Sequence, residues 1–344
     1  MAMTARGLFG RKGMSIEMRE RELGAPGAGQ VLVKVRACGI CGTDINFVRD
    51  WSGDPMALGH EISAEVVELG PDVTRLAVGD RVIVEDCTMC GTCDACKTGH
   101  PERCRTMFSL DGQPGMGDYL LVRHNSLVKF TGLDFVPASL TEPLAVSVTS
   151  VLNAEIPLGG SVLVLGNGPL GLMSALLARM QGAGFVAIAS RGGPSALQKA
   201  RRAACDKAGL DMVLSCAGAE LVDAVKARFP AGVDRVIVSS PPSSLADALS
   251  AIRFGGRITF YGLHLGGQNV VAVDINDLVF RKITLVPTFA EPAINFPLSL
   301  SLLREGRIDA GAIITHTVPL ARARETMQGI VDGTLGAVKA VVTP

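Results

Sequence analysis

Four cysteines stand close together in this chain of 344 residues, at Cys90, Cys93, Cys96 and Cys104. Their compact spacing lets four thiolates converge on one tetrahedral Zn²⁺, with Zn–S distances of about 2.3 Å. Because four cysteines fill the coordination sphere, this zinc is expected to be structural and to hold a loop that has little apolar content. Free thiols or disulfides are the alternative, but strict three-residue intervals make disulfides awkward. Cys87, one interval upstream, is an alternative to Cys90, although the glycine after Cys90 favours the later set.

A second set of metal-binding residue types is spread along the chain. Cys41 begins the sequence CGTD after a predicted strand, and His60 stands nineteen residues later in GHE. A thiolate and an imidazole from separate loops suit zinc, and a catalytic site also needs a third protein ligand and an open position. Glu142 is the best candidate because it stands where the character of the chain changes. Taken singly, each of the three has an ordinary structural role as its alternative, and that role is expected for the other histidines: His100, His124, His264 and His316.

A glycine-rich segment, GNGPLG, runs from Gly166 to Gly171. It matches the pattern G-x-G-x-x-G, follows the predicted strand Ser161–Leu165 and opens the predicted helix Pro169–Met180, which is the context that the pattern requires. Its glycines permit a tight turn and a close backbone approach to a pyrophosphate at the helix N-terminus. The sequence therefore predicts dinucleotide binding by Gly166, Gly168, Pro169, Leu170 and Gly171.

The end of the next predicted strand, Phe185–Ala189, bears on which dinucleotide binds. NAD-binding units usually end this strand with Asp or Glu, which hydrogen-bonds the ribose hydroxyls. Here Ser190 and Arg191 follow instead, and a guanidinium with a hydroxyl suits a 2′-phosphate. We therefore expect NADP rather than NAD, the alternative being that Arg191 is solvated and stacks on the adenine.

The composition argues against several classes of partner. Lys+Arg and Asp+Glu number 33 each, 48% of the residues are hydrophobic and 19% are charged. Such a globular composition without net charge argues against a nucleic-acid partner. No apolar stretch reaches about 18 residues without glycines or charges, so no membrane partner is expected. The N-terminus has no apolar signal-like run and the cysteines cluster as metal ligands do, so a cytoplasmic location is expected.

The patterning divides the chain into two kinds of region. The first 147 or so residues have short strands broken by Gly and Pro, such as Gln30–Ala37, Glu61–Leu69 and Asp80–Glu85. From about residue 148 to 285, apolar strands alternate with helices, as in a doubly wound α/β domain. Expected there are helices at Ala196–Ala208 and Leu245–Phe254 and strands at Arg235–Val238 and Arg257–Tyr261. A helix at Pro297–Glu305 and a strand at Ala337–Val342 are expected in the last part.

Together these motifs closely resemble the zinc-dependent medium-chain alcohol dehydrogenase family, particularly its polyol (sorbitol-like) and threonine dehydrogenase branch. The shared segments are CGTD at 41–44, GHE at 59–61, GDRV at 79–82, the four-cysteine loop at 90–104, TEPLAV at 141–146 and GNGPLG at 166–171. The resemblance implies an α/β protein with a GroES-like β-rich catalytic domain and a Rossmann doubly wound parallel sheet. The catalytic domain would comprise 1–147 and 286–344, and the dinucleotide-binding domain 148–285. It also implies a homodimer or homotetramer.

The resemblance also assigns roles by position. Cys41, His60 and Glu142 would hold a catalytic zinc, with Glu61 beside it as an alternating ligand or as a neighbour of the ligands. The chain would then bind two zinc ions, one catalytic and one structural. Zinc lowers the pKa of a hydroxyl by several units, as it brings that of water to about 7. Thr43 would hydrogen-bond the alcohol and pass its proton outward.

Two departures from the family pattern affect these expectations. Many relatives have His two residues after the Asp of CGTD, where this chain has Asn46, and an amide is no titrating base near pH 7. We therefore expect water, Glu61 or cofactor hydroxyls to complete the proton path. The Arg-Tyr pair of many polyol dehydrogenases is not apparent within Leu285–Glu291, which argues against plain sorbitol or xylitol. Pocket-lining candidates, each with packing or surface exposure as its alternative, are Trp51, Phe108, Glu291 and Asn295.

The sequence thus predicts a zinc-dependent NAD(P) oxidoreductase that oxidises a secondary alcohol of a polyhydroxylated or amino-substituted small molecule. An enzyme similar to L-threonine dehydrogenase is one alternative. A zinc-binding relative without catalysis is another, disfavoured because a purely structural role needs no open metal site. Zinc content distinguishes them, since the enzyme is expected to hold two ions and the non-catalytic relative one.

Overall fold

In the computed structural model of the protein, the described residues are 3–265, 267, 269–289 and 293–344. They form two compact units. The first comprises Met1–Ala145, Glu291–Val331 and Lys339–Pro344, and the second comprises Val146–Ala290 and Asp332–Val338. The first unit is discontinuous, and these divisions lie close to the predicted ones at 147/148 and 285/286. Nothing in the sequence indicates that Asp332–Val338 belongs with the second unit.

The chain before residue 140 is mostly strands, because its apolar residues alternate with polar ones and Gly and Pro interrupt them. The strands are β1 (Met3–Arg11), β2 (Ser15–Leu23), β3 (Gln30–Gly39), β4 (Met56–Ala57), β5 (Glu61–Leu69), β6 (Arg81–Val84), β7 (Cys87–Thr88), β8 (Phe108–Ser109), β9 (Tyr119–Arg123) and β10 (Leu127–Lys129). The helices are α1 (Gly42–Asp50), α2 (Asp94–Lys97) and α3 (Phe135–Ala138).

The next part of the chain alternates strands and helices. Its helices are α4 (Thr141–Asn153), α5 (Pro169–Met180), α6 (Ala196–Lys207), α7 (Ala219–Arg228), α8 (Leu245–Ala251) and α9 (Ile275–Arg281). Its strands are β11 (Ser161–Leu165), β12 (Phe185–Ala189), β13 (Met212–Leu214), β14 (Val233–Val238), β15 (Ile252–Phe260) and β16 (Thr284–Pro287).

The second unit is built on one parallel sheet of six strands in the order β13-β12-β11-β14-β15-β16. The strand order reverses between β11 and β14, and a ligand binds outside the carboxyl ends of the strands at such a switch point. Every residue of β11 is buried, which explains its unbroken apolar sequence. The predicted Rossmann fold is confirmed.

The last part of the chain returns to the first unit. Its elements are α10 (Phe296–Arg304), α11 (Ala310–Ile313), β17 (Ile314–Pro319), α12 (Ala323–Val331) and β18 (Lys339–Thr343). The large sheet of the first unit has the order β10-β6-β5-β3-β18-β17, with β9 also paired to β3. Since β18 pairs with β3, the end of the chain lies beside a strand formed near its beginning. The β-rich GroES-like fold expected for this unit is also confirmed.

One predicted helix is too long. The sequence predicts helix from Leu245 to Phe254, but α8 ends at Ala251 and β15 begins at Ile252. The register between β14 and β15 shifts after Val233, so the residues that follow Ile252 bulge out of the sheet. Gly255 has a φ of +68°, a conformation that glycine adopts without strain. Because of this bulge, β15 begins at Ile252, whereas its apolar pattern predicts a strand from Arg257.

Among the described residues, one helical stretch is long and apolar enough to cross a membrane by length and composition, Phe135–Asn153. It runs through α3 and α4, and 72% of its apolar window is buried inside the protein. A core helix that is mostly buried passes the same test, so this stretch is weak evidence for a span.

Candidate functional site

The four cysteines of the short loop bring their sulfur atoms together. The Sγ atoms of Cys90, Cys93, Cys96 and Cys104 all lie within 4.8 Å of one another. The Cys93–Cys96, Cys104–Cys90 and Cys93–Cys104 sulfur distances are 3.5, 3.6 and 3.8 Å. Tetrahedral zinc with Zn–S bonds of about 2.3 Å requires sulfur atoms roughly 3.8 Å apart. These residues therefore fit a closed structural zinc site.

Hydrogen bonds around this loop favour thiolate at Cys90. Its Sγ accepts from the Thr106 hydroxyl at 3.0 Å and from the backbone amides of Thr92 and Cys93 at 3.4 and 3.3 Å. The hydroxyls of Thr106 and Thr92 and these amides lower the pKa of Cys90 to about 5. Cys87 lies outside the group of four, in β7, where it pairs with Ser109 of β8.

A second group forms in the first unit from three residue types. Cys41 Sγ, a ring nitrogen of His60 and a carboxylate oxygen of Glu61 all lie within 4.8 Å of one another. Cys41 immediately precedes α1, and Glu61 begins β5. A thiolate, an imidazole and a carboxylate are all zinc ligands in proteins, so these residues fit a zinc ion.

Asp44 holds the two halves of this group together. Its buried carboxylate accepts hydrogen bonds from the backbone amides of Cys41 at 2.9 Å and Gly59 at 2.8 Å. Its Oδ1 also lies 4.0 Å from His60 Nδ1. At that distance the carboxylate acts on the imidazole through its charge and not through a hydrogen bond. No role for Asp44 is predicted from the sequence, although its position three residues after Cys41 is that of a capping residue at a helix start.

Lys339 is a member of the site that sequence reasoning missed. Its Nζ, in β18, donates to Glu61 Oε1 at 2.5 Å and to the Ile40 carbonyl at 2.9 Å. Both charged side chains are almost fully buried, at 4% and 1% exposure. Burial opposes the charge on Lys339, but Glu61 and Cys41 raise its pKa above the ordinary value. A side chain at Gly39, across from Glu61 in β3, would overlap the Glu61 carboxylate, so only glycine leaves room for this ion pair.

Glu142 belongs to the same electrostatic environment. It lies in the first turn of α4, buried, and outside the close group of Cys41, His60 and Glu61. Burial raises the pKa of Glu142 to about 8, the charge of His60 opposes this, and Asp86 and Glu61 add to it. Burial would lower the pKa of His60, yet Cys41, Asp44 and Glu142 raise it well above its usual value. The buried acids Glu61 and Glu142 thus lie near only one imidazole and one ammonium. A bound cation would stabilise these negative charges.

Thr43 and Asn46 both lie on α1. Thr43 is the second residue of the helix and is half-buried. Asn46 Oδ1 accepts a hydrogen bond from Arg49 Nη2 at 3.0 Å, and Arg49 also pairs with Asp50 at 2.8 Å. The amide of Asn46 is therefore held by a fixed cation one turn along the helix.

The candidate pocket residues have contacts of their own. The Trp51 indole donates to the Asp54 carbonyl at 2.9 Å, and the Arg123 guanidinium stacks 4.4 Å from the centre of the Phe108 ring. Asn295 precedes α10, and Glu291 lies outside the described residues. Their assignment to a substrate pocket stays a prediction. Of the remaining histidines, His100 contacts Glu102 at 3.2 Å and His316 contacts Thr315 at 3.0 Å.

The glycine-rich turn joins β11 to α5 in the second unit. A side chain at Gly166 would overlap the Ser239 hydroxyl, and one at Gly171 would overlap the Gly166 carbonyl, so helix and strand pack at a distance that only glycine allows. Gly168 caps α5, and Pro169 occupies its first turn. A position at the carboxyl end of β11 with free helix-terminal amides suits a pyrophosphate.

A cavity of about 230 Å³ opens beside this turn. Its lining includes Gly166, Gly168, Ser190 and Arg191, so the structure brings the glycine motif and the predicted 2′-phosphate residues together. Leu170 and Gly171 lie in the first turn of α5 behind it. The residues fit a dinucleotide along the carboxyl edge of the sheet.

A second cavity of about 580 Å³ lies at the ends of β14, β15 and β16 and shares Ser240 with the first. Its walls are mainly apolar, with Leu263, Phe260 and Phe289 among them. The two cavities follow the carboxyl edge of the sheet on either side of the switch point, which is where the two halves of a dinucleotide lie in a doubly wound fold.

Comparisons with known proteins agree with this architecture. The chain matches the alcohol dehydrogenase GroES-like domain over residues 27–132 and the zinc-binding dehydrogenase family over residues 169–304. An L-galactonate-5-dehydrogenase of Escherichia coli K12 is 31% identical over 94% of this chain and 95% of its own length. An L-threonine 3-dehydrogenase of Pyrococcus horikoshii is 33% identical over 89% of each chain. A solved structure described as a zinc-binding dehydrogenase from Sinorhizobium meliloti 1021 bound to NADP has 27% identity and a TM-score of 0.83, covering 99% of this chain and 100% of that one.

Proposed function

The chain belongs to the zinc-binding medium-chain alcohol dehydrogenase family, and from this premise we propose that it oxidises a secondary alcohol of a small polyol, sugar or amino-cyclitol to a ketone, with NADP accepting the hydride. The observation that carries the proposal is the close group of the half-buried Cys41 and His60 with the buried Glu61, and the buried Glu142 in the same electrostatic environment, because these residues combine zinc-ligand types with several acids. The similarity to an L-galactonate-5-dehydrogenase supports a polyhydroxylated substrate.

Cys41, His60 and Glu142 are proposed as the ligands of the catalytic zinc. When bound, zinc lowers the pKa of a hydroxyl to near neutrality, as it does for water at about 7. Lys339 neutralises Glu61, which favours Glu142 as the third ligand and leaves Glu61 as the alternating group. The four-cysteine loop holds a second, structural ion.

Zinc content tests this ligand set. Replacing Glu142→Ala is expected to reduce zinc from two ions per chain towards one, because a ligand of the open site is lost. Glu65→Ala is the control and keeps two ions, since Glu65 lies on the same strand, β5, but outside the group, with its side chain 35% exposed beside Arg36. Inductively coupled plasma emission spectroscopy measures the zinc bound per chain. An unchanged zinc content in Glu142→Ala contradicts the assignment of Glu142 as the third ligand.

Thr43 is proposed to hydrogen-bond the substrate hydroxyl and to carry its proton outward. The proton path then needs an acceptor, and Asn46 has no titratable atom and already accepts from Arg49. Water, Glu61 or the hydroxyls of the cofactor complete the path.

A substrate screen tests the proposed reaction. Polyols, sugar alcohols, sugar acids, amino-cyclitols and L-threonine are incubated with NAD⁺ and NADP⁺ side by side, and reduced cofactor is followed by its absorbance. A polyhydroxylated secondary alcohol is expected to give the highest kcat/KM, with NADP⁺ preferred because Ser190 and Arg191 line the cofactor cavity. A preference for NAD⁺ contradicts the cofactor assignment, and turnover of L-threonine above all other alcohols contradicts the substrate class.

An L-threonine dehydrogenase is the second candidate function. The 33% identity to an L-threonine 3-dehydrogenase over 89% of each chain favours it. A substrate of this kind carries an ammonium and a carboxylate, so its discrimination from polyols rests on charge. In the screen, acetylation of the reacting hydroxyl is expected to abolish turnover of either class of substrate. N-acetyl-threonine, which keeps that hydroxyl but lacks the ammonium, is rejected only by a site that recognises the ammonium.

A homodimer or homotetramer is proposed as the working form. Strand β16 ends the sheet of the second unit, and large apolar side chains near it are exposed, among them Phe254, Ile275, Val279 and Phe280. Contiguous exposed apolar residues mark interaction surfaces. Sedimentation of Phe280→Glu is expected to show a smaller species than the unmodified protein.

A cytoplasmic location is also proposed. All nine cysteines are unpaired in the structure, as expected in a reducing compartment where thiols serve as metal ligands.

A further inference from the structure

A cluster of four hydroxyl groups, three of them buried, lies against the glycine-rich turn of the second unit. The Tyr261 phenol, which directly follows β15, lies 2.8 Å from Ser174 Oγ on α5 and also forms hydrogen bonds with Ser239 and Ser147. Ser174 and Ser147 are completely buried, and Tyr261 is 9% exposed. This phenol therefore joins the end of β15 to α4, to α5 and to the end of β14.

Two serines of this cluster bond the backbone of the turn itself. Ser239 Oγ donates to the Gly166 carbonyl at 3.3 Å and to the carbonyl of the preceding residue at 2.9 Å. Ser147 Oγ donates to the Leu170 carbonyl at 3.2 Å. These carbonyls stand at the two ends of the turn, so the phenol reaches both ends through one serine each.

The same carbonyl bonds set the direction of amides in the turn. In a trans peptide group the N–H points opposite to the C=O. Holding the Gly166 carbonyl against Ser239 therefore fixes the direction of the Asn167 amide, and Asn167 lines the cavity of about 230 Å³ beside the turn. In the same way, the bond to the Leu170 carbonyl fixes the amide of Gly171 in the first turn of α5. Amides of this kind are the donors from which a pyrophosphate accepts hydrogen bonds.

The phenol acts on the two serines as a neutral donor. Burial raises the pKa of Tyr261 to about 12, although three serine hydroxyls oppose this. Ser147 and Ser239 give their own protons to carbonyls, so they offer the phenol only acceptor lone pairs. Phenylalanine in this place would keep the ring and remove the donor, and an unsatisfied polar atom is costly where water does not enter.

We infer that Tyr261 is a positioning residue for the cofactor, whose hydroxyl, acting through Ser147 and Ser239, holds the glycine-rich turn in the conformation that binds the pyrophosphate. The inference rests on the proposed binding of a dinucleotide at this turn and not on the choice between NAD and NADP. Tyr261 also lines the second cavity, of about 580 Å³, while Ser239 lines the first. One hydroxyl network thus joins the walls of the two cavities.

A second hydroxyl pair between the same helix and strand provides the matched control. Ser150 Oγ on α4 and Thr259 Oγ1 on β15 lie 3.0 Å apart, three residues after Ser147 and two residues before Tyr261. Both residues are completely buried, and their hydroxyls bond each other rather than the turn. Thr259→Val therefore removes a buried hydrogen bond of the same kind without releasing the turn.

Isothermal titration of the full chain with ADP-ribose, which carries the pyrophosphate, and with adenosine, which lacks it, tests the inference. The unmodified protein is expected to bind ADP-ribose at least about 10-fold more tightly than adenosine. Tyr261→Phe is expected to weaken ADP-ribose by about 10-fold, the effect of one lost hydrogen bond, and to change adenosine by less than about 3-fold. Ser147→Ala, which keeps the phenol at the wall of the second cavity, is expected to weaken ADP-ribose by about 3- to 10-fold. Thr259→Val is expected to leave both affinities within about 2-fold.

Two further measurements separate positioning from a general loss of packing. The double variant of Tyr261→Phe with Ser147→Ala is expected to weaken ADP-ribose by less than the product of the two single losses, because the phenol acts partly through Ser147. In thermal unfolding, Tyr261→Phe and Thr259→Val are expected to lower the melting temperature by a similar few degrees. A merely structural hydroxyl at Tyr261 would then change ADP-ribose binding no more than Thr259→Val does.

The outcomes distinguish this inference from the proposed function. The positioning role of Tyr261 is overturned, while dinucleotide binding stands, if Tyr261→Phe leaves the affinity for ADP-ribose within about 3-fold or weakens adenosine by the same factor. An equal loss of ADP-ribose affinity in Thr259→Val, or fully multiplicative losses in the double variant, overturns it as well. If the unmodified protein binds ADP-ribose no better than adenosine, the proposed dinucleotide site at the turn fails, and the inference fails with it.

Discussion

The four-cysteine loop takes all of its sulfur atoms from one stretch of fifteen residues, whereas the group around His60 collects its side chains from α1, β5, α4 and β18. In the loop, short intervals alone bring the ligands together. In the buried group, Cys41 and His60 meet only because the β3 and β5 register brings the two chain segments side by side and Asp44 bridges them. Local spacing is therefore enough to assemble the four cysteines, whereas the group around His60 assembles only when the chain folds.

The two groups also differ in how their charge is compensated. In the loop, hydroxyls and backbone amides around the half-buried Cys90 favour the thiolate. In the buried group, Glu61 has its own cation, Lys339, and the pKa of Glu142 is raised by burial. Replacing one side chain should therefore lower the free energy of unfolding little in the loop and strongly at the buried Glu61–Lys339 pair.

The largest expected effect comes from His60→Ala. Loss of the catalytic ion removes several kcal/mol of transition-state stabilisation, so kcat/KM is expected to fall by about 10³-fold or more. Zinc is expected to fall from two ions per chain to one, because the four-cysteine loop is intact and keeps its own ion. His100→Ala, on that loop and paired with Glu102, is the control and retains activity. A His60→Ala protein that keeps two zinc ions breaks the distinction between the two groups.

The next effect concerns the buried ion pair. Lys339→Met leaves Glu61 buried without its cation, and breaking a buried pair in this way costs about 3–5 kcal/mol of unfolding free energy. Urea unfolding measures this loss, and adding Glu61→Gln to the variant should restore part of it. Lys129, which pairs with Asp80 and is 50% exposed, is the matched control; its replacement by Met should cost about 0–1 kcal/mol. Equal losses at the two lysines would remove the argument that burial distinguishes the sites.

A smaller global effect is expected at the four-cysteine loop. Cys93→Ser loses one ligand of the closed site, and the loop opens locally, so cleavage by a protease within residues 87–109 should accelerate by about 10- to 100-fold. Because the buried group does not depend on this loop for its ligands, kcat/KM should fall by less than about 10-fold. Cys87→Ser serves as the comparison, and if it loses as much zinc as Cys93→Ser, Cys87 is a ligand after all.

The smallest expected effect comes from Asn46→His and concerns the proton path from the substrate hydroxyl. Asn46→His introduces a titrating base beside Arg49, whose charge lowers the histidine pKa below its ordinary value of about 6.5. The pH profile of kcat/KM should gain an ionisation below that value and change by less than about 10-fold at pH 7. Asn46→Gln should leave the profile as it is. Identical profiles for Asn46→His and the unmodified protein would exclude position 46 from the relay.

The contrast between the two groups also explains what the sequence reveals. The parallel sheet, the glycine-rich turn and the four-cysteine loop follow from patterns within a few tens of residues, and the strands from Ser161 and Phe185 are found at their predicted bounds. The partnership of Glu61 with Lys339 spans 278 residues and depends on the pairing of β18 with β3, which no local pattern specifies. The early end of α8 depends in the same way on a register shift against β14.

Arg201 on α6 lines the cavity beside the glycine-rich turn, and the sequence alone does not single it out. Its sequence neighbour Arg202 has the same side chain, and nothing in the composition of α6 tells the two apart. Only the packing of the helix beside Gly168 decides which of them faces the cavity.

The long separation of Glu61 and Lys339 has a consequence for how the chain is made. A ribosome adding about 5–20 residues per second needs roughly 14–56 s to travel from one codon to the other, a distance of 278 residues. During that interval the whole nucleotide-binding unit emerges, while Glu61 still lacks the ammonium that will cover it. The four-cysteine loop is complete within seconds of its own synthesis and can take up metal early. The group around His60 is assembled last, so in a nascent chain the four-cysteine loop is ready for a metal ion well before that group is complete.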